Sequence, residues 1–278
     1  MAKQANPVPA GATSYLRNKL TQIAALNGLA VGDGYTQFAI IPKIDILSIT
    51  ILPGPPKTIA LNLDITLYIA DSWGEKIFAT TTMNVNGVGV TENGAYMEGI
   101  KQINTKNPEF KKFVTRAKNE IINYYNNTYQ TTITKARSLA GQKKYSEALF
   151  YLNGIPECSS GYEAAIKEIA KTYQLYIDDL CEQNLSKASM AWLQDQSATG
   201  AGKAGEYLQY IYPGAKCYNE AMALYNQIDA KVKEDWNFAM KVYDNTVDME
   251  KQRIDASKEV GLSFGNNQQP ATIVEWID

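Results

Sequence analysis

The 278-residue chain predicts an α+β protein. A small N-terminal domain holds an antiparallel sheet of three or more strands with helices. An all-α region of helical hairpins follows and ends in a long C-terminal helix. Three observations carry this reading. Between Thr58 and Ala70, Ile59, Leu61, Leu63, Ile65, Leu67 and Ile69 take every second position, with Asn62, Asp64, Thr66 and Tyr68 among the residues between them. Alternation of this regularity marks a central strand with one dry and one wet face. The link Ser72-Trp73-Gly74-Glu75 is short enough to turn that strand straight into another, as a hairpin does. From about residue 108 onward the apolar spacing is helical, and ARSLAGQKKYSEA at 136–148 has the helix–turn–helix form of a tetratricopeptide-like unit.

In chain order, residues 1–12 read as an extended arm with two prolines and a glycine. The α+β domain covers 13–107, the helical domain 108–262 and a C-terminal tail 263–278. Thr13 or Ser14 is expected to cap a first helix with Leu16, Leu20, Ile23 and Ala24 inside, ending near Asn27-Gly28. Thr36–Ile51 is strand-like, and Pro42 implies an edge position or a bulge. The third strand, Lys76–Val88, is expected to turn Ile77, Ala79, Thr81, Met83 and Val85 to one face. Thr91 caps a helix with Ala95, Tyr96, Gly99, Ile100 and Ile103 inside, and Asn107-Pro108 opens a longer one.

Farther on, Ala148, Tyr151-Leu152, Ile155, Tyr162 and Ala165 recur 56 residues later as Ala204, Tyr207-Leu208, Ile211, Tyr218 and Ala221. This spacing suggests two copies of one unit. No Pro or Gly interrupts the chain from Cys217 to Val260, where Leu224, Ile228, Val232, Trp236, Ala239, Tyr243 and Met249 keep near-helical spacing. One helix of about 60 Å is expected there, at 1.5 Å per residue.

Composition excludes several classes of function. The chain has no histidine, so it lacks the usual general base and commonest metal ligand, and cannot build a Ser-His-Asp triad on its own. Cys158, Cys181 and Cys217 are far apart, without a CxxC pair, and are expected to be buried free thiols in a reducing compartment. With 27 basic and 29 acidic residues there is no nucleic-acid footprint. No apolar run has the roughly 18 residues of a membrane helix, and the start lacks the apolar core of a secretory signal. Eighteen Tyr against seven Phe suit half-wet contact surfaces.

Local motifs fall short of chemistry. Gly87-Val88-Gly89 has Glu92 where a dinucleotide loop needs its third glycine, and reads as a glycine turn closing a strand. Gly200-Ala201-Gly202-Lys203 lacks the remaining Walker positions, with Ser197 and Ala204 in their place, and reads as a flexible turn between helices. Asp33, Asp64, Asp71 and Glu75 read as solvated strand ends, and Lys111, Lys112, Arg116 and Lys118 as a solvated basic face. Asn126 and Asn184 head glycan-acceptor triplets. No catalytic, cofactor-binding or metal-ligating residue is assigned.

Gly32-Asp33-Gly34-Tyr35, the strand ending LYIAD, the segment IFATTTMNVNGVG with the helix AYMEGIKQI, and the helix NPEFKKFVTRAKNEIINYY carry a resemblance. Over roughly residues 25–165 the chain resembles a family of Bacteroides-type bacteria and crAss-like phages. Its members join a lipoprotein-like α+β domain to tetratricopeptide-like helices. The polar start departs from the signal peptide of bacterial members and favours a phage copy. The resemblance implies a structural virion protein without enzymatic activity or cofactor. It would form a homo-oligomeric ring in the tail or neck barrel and touch neighbouring rings and other virion proteins. No membrane and no sequence-specific nucleic acid would be partners. The alternative is a non-enzymatic helical-repeat scaffold in a bacterial cytoplasm or envelope assembly.

Overall fold

The computed structural model describes residues 8–29, 37–74, 76–232, 240 and 249–266. These fall into two compact units that divide between Tyr125 and Asn126. The first holds helix α1 (Ala10–Leu26), strands β1 (Phe38–Leu52), β2 (Thr58–Asp71) and β3 (Lys76–Gly89), helix α2 (Glu92–Lys101) and the first half of α3 (Pro108–Gly141). The second holds the rest of α3, α4 (Tyr145–Asn153), α5 (Tyr162–Gln194), α6 (Ala198–Leu208), α7 (Tyr218–Val232) and α8 (Met249–Asn266). The fold is α+β, as the sequence predicts. The division lies inside α3 rather than at the start of that helix.

In the first unit the strands form one antiparallel sheet in the order β1-β2-β3. The alternating strand β2 is central. Leu61, Leu63, Ile65, Leu67 and Ile69 are buried, and helices cover that face. The outer face is polar and cross-linked: the Asn84 amide donates to Asn62 and Asp64, and Thr66 bonds Thr82. Thr91 caps α2 by accepting from the Gly94 N–H. Gly87 and Gly89 let that helix lie directly on the sheet. A Cβ on Gly87 would stand 1.8 Å from the Ala95 carbonyl oxygen, and one on Gly89 2.5 Å from the Ala95 nitrogen.

Two bulges interrupt the outer strands, and the one in β3 corrects the expected face assignment. In β3, Ile69 pairs with Ala79 and Ala70 with Ile77, which leaves Phe78 as the extra residue. Phe78 is therefore buried (8% exposed) and Ile77 turned out (42%), against the expected set. An extra residue shifts a period-two pattern by one, so every side chain beyond it changes face. In β1, Leu47 is the extra residue, between the pairs Ile46–Leu63 and Ser48–Asn62. Pro42 lies in this edge strand, where a missing N–H is tolerated.

The first helix begins at Ala10 rather than after a Thr13 or Ser14 cap. Pro9 is its N-cap residue, and the Thr13 hydroxyl donates backward to the Pro9 carbonyl. The described end of the expected arm is thus structural, with Ala12 buried; residues 1–7 lie outside the described residues.

In the second unit the 56-residue recurrence is a repeat of structure. Ile155 N–H donates to Leu152, Ser159 to Pro156, Tyr162 to Ser159 and Ala165 to Gly161. The same main-chain bonds recur as Ile211 to Leu208, Ala215 to Tyr212, Tyr218 to Ala215 and Ala221 to Cys217. Each copy ends a helix, turns, and starts the next. Ala148, Leu152, Ile155 and Ala165 are buried, as are Ala204, Leu208, Ile211 and Ala221. Among the described residues there is no single long helix. Helix α7 ends at Val232, Met240 is not helical, and α8 starts at Met249. Trp236, Ala239 and Tyr243 lie outside the described residues. Helix α8 runs on to Asn266, past the expected start of the tail. It packs closely on α4: a Cβ on Gly261 would stand 3.0 Å from the Phe150 nitrogen, and Phe264 meets the Phe150 ring.

Candidate functional site

Of the four candidate carboxylates, the two among the described residues, Asp64 and Asp71, do not converge. Asp33 and Glu75 lie outside the described residues. Asp64 sits on the outer sheet face, bonded to Asn84. Asp71, expected to be solvated, is 2% exposed. It accepts from the Tyr125 hydroxyl and from the N–H groups of Trp73 and Gly74, while the Gln37 side chain donates to Tyr125. Burial first, and then the neighbouring Asp71 carboxylate, push the Tyr125 hydroxyl well above its ordinary value. Tyr125 therefore stays a neutral donor, and the cluster ties the end of β2 to α3 within the first unit. A Tyr far along a helix stripe gives no sequence signal of that partnership.

The glycine motifs are packing features. Gly87 and Gly89 sit in β3 under α2, so Gly87-Val88-Gly89 is strand, which corrects the expected glycine turn. Gly200-Ala201-Gly202-Lys203 lies inside α6, which corrects the expected turn; a Cβ on Gly200 would stand 1.6 Å from the Asp195 carbonyl oxygen. The basic residues of α3 are largely engaged. Lys112 pairs with Glu109, Arg116 donates to the Thr80 carbonyl, and Lys118 reaches the Asn27 and Gly28 carbonyls. Asn126 accepts from the Ser160 N–H and hydroxyl, and Asn184 is buried.

Two of the three cysteines overturn the free-thiol reading. Cys181 of α5 and Cys217, just before α7, form a disulfide across a separation of 36 residues; Cys158 is free and exposed. Their partnership depends on how α5 packs beside the second repeat, which spacing alone does not reveal. Among the described residues no group of three His, Cys, Asp or Glu is placed to hold a metal ion, and no helix is long and apolar enough to cross a membrane.

The surface feature that distinguishes the first unit is apolar. Leu47 (57%), Ile49 (51%), Ile51 (54%) and Leu52 (45%) are exposed along the end of β1, and Val88 and Val90 are exposed at the end of β3. From Ile46 to Pro56 the chain carries no charge. The helices that bury Ile44 do not extend over Ile49 and Ile51. Large apolar side chains gathered at one end of a sheet mark a contact surface. The second unit exposes Leu175, Met190, Leu193 and Tyr210. Comparison with known proteins finds no matching family model, no matching curated protein and no matching solved structure.

Proposed function

We propose that the chain is a non-catalytic structural subunit that assembles into a closed homo-oligomeric ring. The family resemblance suggests a ring of a phage tail or neck barrel, in contact with neighbouring rings and other virion proteins. The observation that carries the assembly reading is the uncharged apolar end of β1, which a monomer would leave in water. Head-to-tail contacts between identical subunits close into rings when the rotation permits. Native mass spectrometry and cryo-electron microscopy of the purified chain test this. A closed oligomer of fixed copy number is expected; a monomer throughout the accessible concentration range would overturn the ring. The exposed Leu175, Met190 and Leu193 of α5 favour a second reading, a helical-repeat scaffold for a protein partner. A monomeric chain whose binding to a defined partner is lost in Leu193→Asp would support that reading instead.

A further inference from the structure

We propose that the end of β1, Ser48–Leu52, is a two-fold contact on which a second copy of the chain pairs antiparallel, strand to strand. The inference deepens the reading of the chain as an assembly subunit and rests on it. The two edges of the sheet are treated differently. On β3, the Arg116 side chain donates to the Thr80 carbonyl and the Gln102 side chain to the Asn86 carbonyl. Side chains thus cap that edge. On β1, Pro42 removes a donor and Lys43–Asp45 forms an ion pair, but only in the first half of the strand. Proteins protect edge strands from pairing with such devices. Ser48–Leu52 has none, and among the described residues no hydrogen bond from outside the sheet reaches its main chain.

The direction of the open groups follows from the pairing. Thr80 and Asn86 turn their carbonyls away from β2, so Thr81, Met83, Val85 and Gly87 bond to their β2 partners Leu67, Ile65, Leu63 and Leu61. Those β2 residues therefore turn away from β1. Their β1 partners Pro42, Ile44, Ile46 and, beyond the bulge, Ile49 present their main-chain groups to the open side; Ile51, paired with Ile59, follows. The missing N–H of Pro42 falls on that side too, as it must for a proline in this strand.

Only one two-fold register uses these groups well. Centred on Ile49, it would set Ile51 against the bulged Leu47. Centred on Ile51, it would set Ile49 against Pro53, which has no N–H. Centred on Thr50, it pairs Ile49 with Ile51 of the second copy and Ile51 with Ile49, Ser48 with Leu52, and Thr50 with Thr50. Each Ile49–Ile51 pair exchanges two N–H···O=C bonds. The four isoleucines then share the helix-bearing face, where each copy alone leaves them half exposed. The two sheets become one six-stranded sheet. Such a contact pairs subunits or joins one ring to another, and complements the head-to-tail contacts of a ring.

The test uses the full chain carrying Cys158→Ser, so that the free thiol is removed. In the proposed pair the two Thr50 Cα atoms lie about 4.5 Å apart, within disulfide range. Thr50→Cys is therefore expected to form a disulfide-linked dimer roughly tenfold or more faster than Thr80→Cys on the outer strand, because pairing raises the effective thiol concentration. Adding Ile51→Lys is expected to remove that gain while leaving the circular dichroism and melting temperature unchanged. Equal rates at Thr50 and Thr80, or a rate indifferent to Ile51→Lys, would overturn the contact. A cross-link at Thr50 that becomes fast only when residues 267–278 are removed would also overturn it, by naming the chain's own tail as the occupant. A cross-linked pair without a larger closed oligomer leaves the contact standing and removes the ring; a ring that survives Ile51→Lys without the cross-link does the reverse.

Discussion

Single atoms decide where the first unit holds together. Leu63 is fully buried on the inner face of β2 and its methyl lies near Gly99 of α2. Leu63→Ala is expected to cost about 2–5 kcal/mol, read as a lower denaturation midpoint with an unchanged slope. Gly87→Ala places a methyl against the Ala95 carbonyl and is expected to cost at least about 1–3 kcal/mol, since main chain must move. Tyr125→Phe removes one of the donors to the buried Asp71 carboxylate, with an expected loss of about 1–3 kcal/mol. The same variant carries a pH signature. The folded state raises the Tyr125 pKa above its ordinary value of 10.0, so its stabilisation is full below that pH. The stabilisation is lost as pH rises above 10.0, where the unfolded chain ionises first. Melting from neutral pH into strong alkali should fall less steeply in Tyr125→Phe than in the parent. Parallel curves would remove Tyr125 from the account.

At the element scale, the sequence reveals what a period reveals. The central strand, its edge neighbour with Pro42, the Thr91-capped helix and the 56-residue recurrence all follow from spacing within one segment. Features that need two segments at once stayed hidden. The bulges at Leu47 and Phe78 exist only relative to β2, so the alternation rule placed Ile77 on the wrong face. The buried Asp71–Tyr125 contact leaves no motif in the sequence because its members stand 54 positions apart. The Cys181–Cys217 bond is of the same kind. It closes a loop of 36 residues around the second hairpin, which in the chain-entropy view is worth about 3–4 kcal/mol. Reductant, or Cys181→Ser with Cys217→Ser, should lower the melting temperature of the helical unit. Cys158→Ser should leave it unchanged, because Cys158 is free and exposed. An equal shift in all these variants would mean that the disulfide does not form in solution.

At the scale of the whole molecule, assembly is the property to be measured, and truncation is its most direct probe. The ends to remove are fixed by what the two units require. Ala12 and Leu16 belong to the core of the first unit and Val8 packs against it, so a cut at residue 12 would strip core as well as arm. Phe264 meets Phe150 and Gly265 stands against the same ring, so α8 must keep its last turn. Removing 1–7 and 267–278 keeps all of the described residues. The arm at 1–7 has no apolar pattern of its own, and ordering such a segment costs chain entropy that only a surface can offset. The tail, in contrast, ends in Ile273, Val274, Trp276 and Ile277. If these ends bridge subunits, the trimmed chain should keep its melting temperature and helical content while the oligomer falls to smaller species by native mass. An unchanged oligomer would place the ring contacts wholly within the two folded units. Loss of helical content would show instead that an end belongs to the fold.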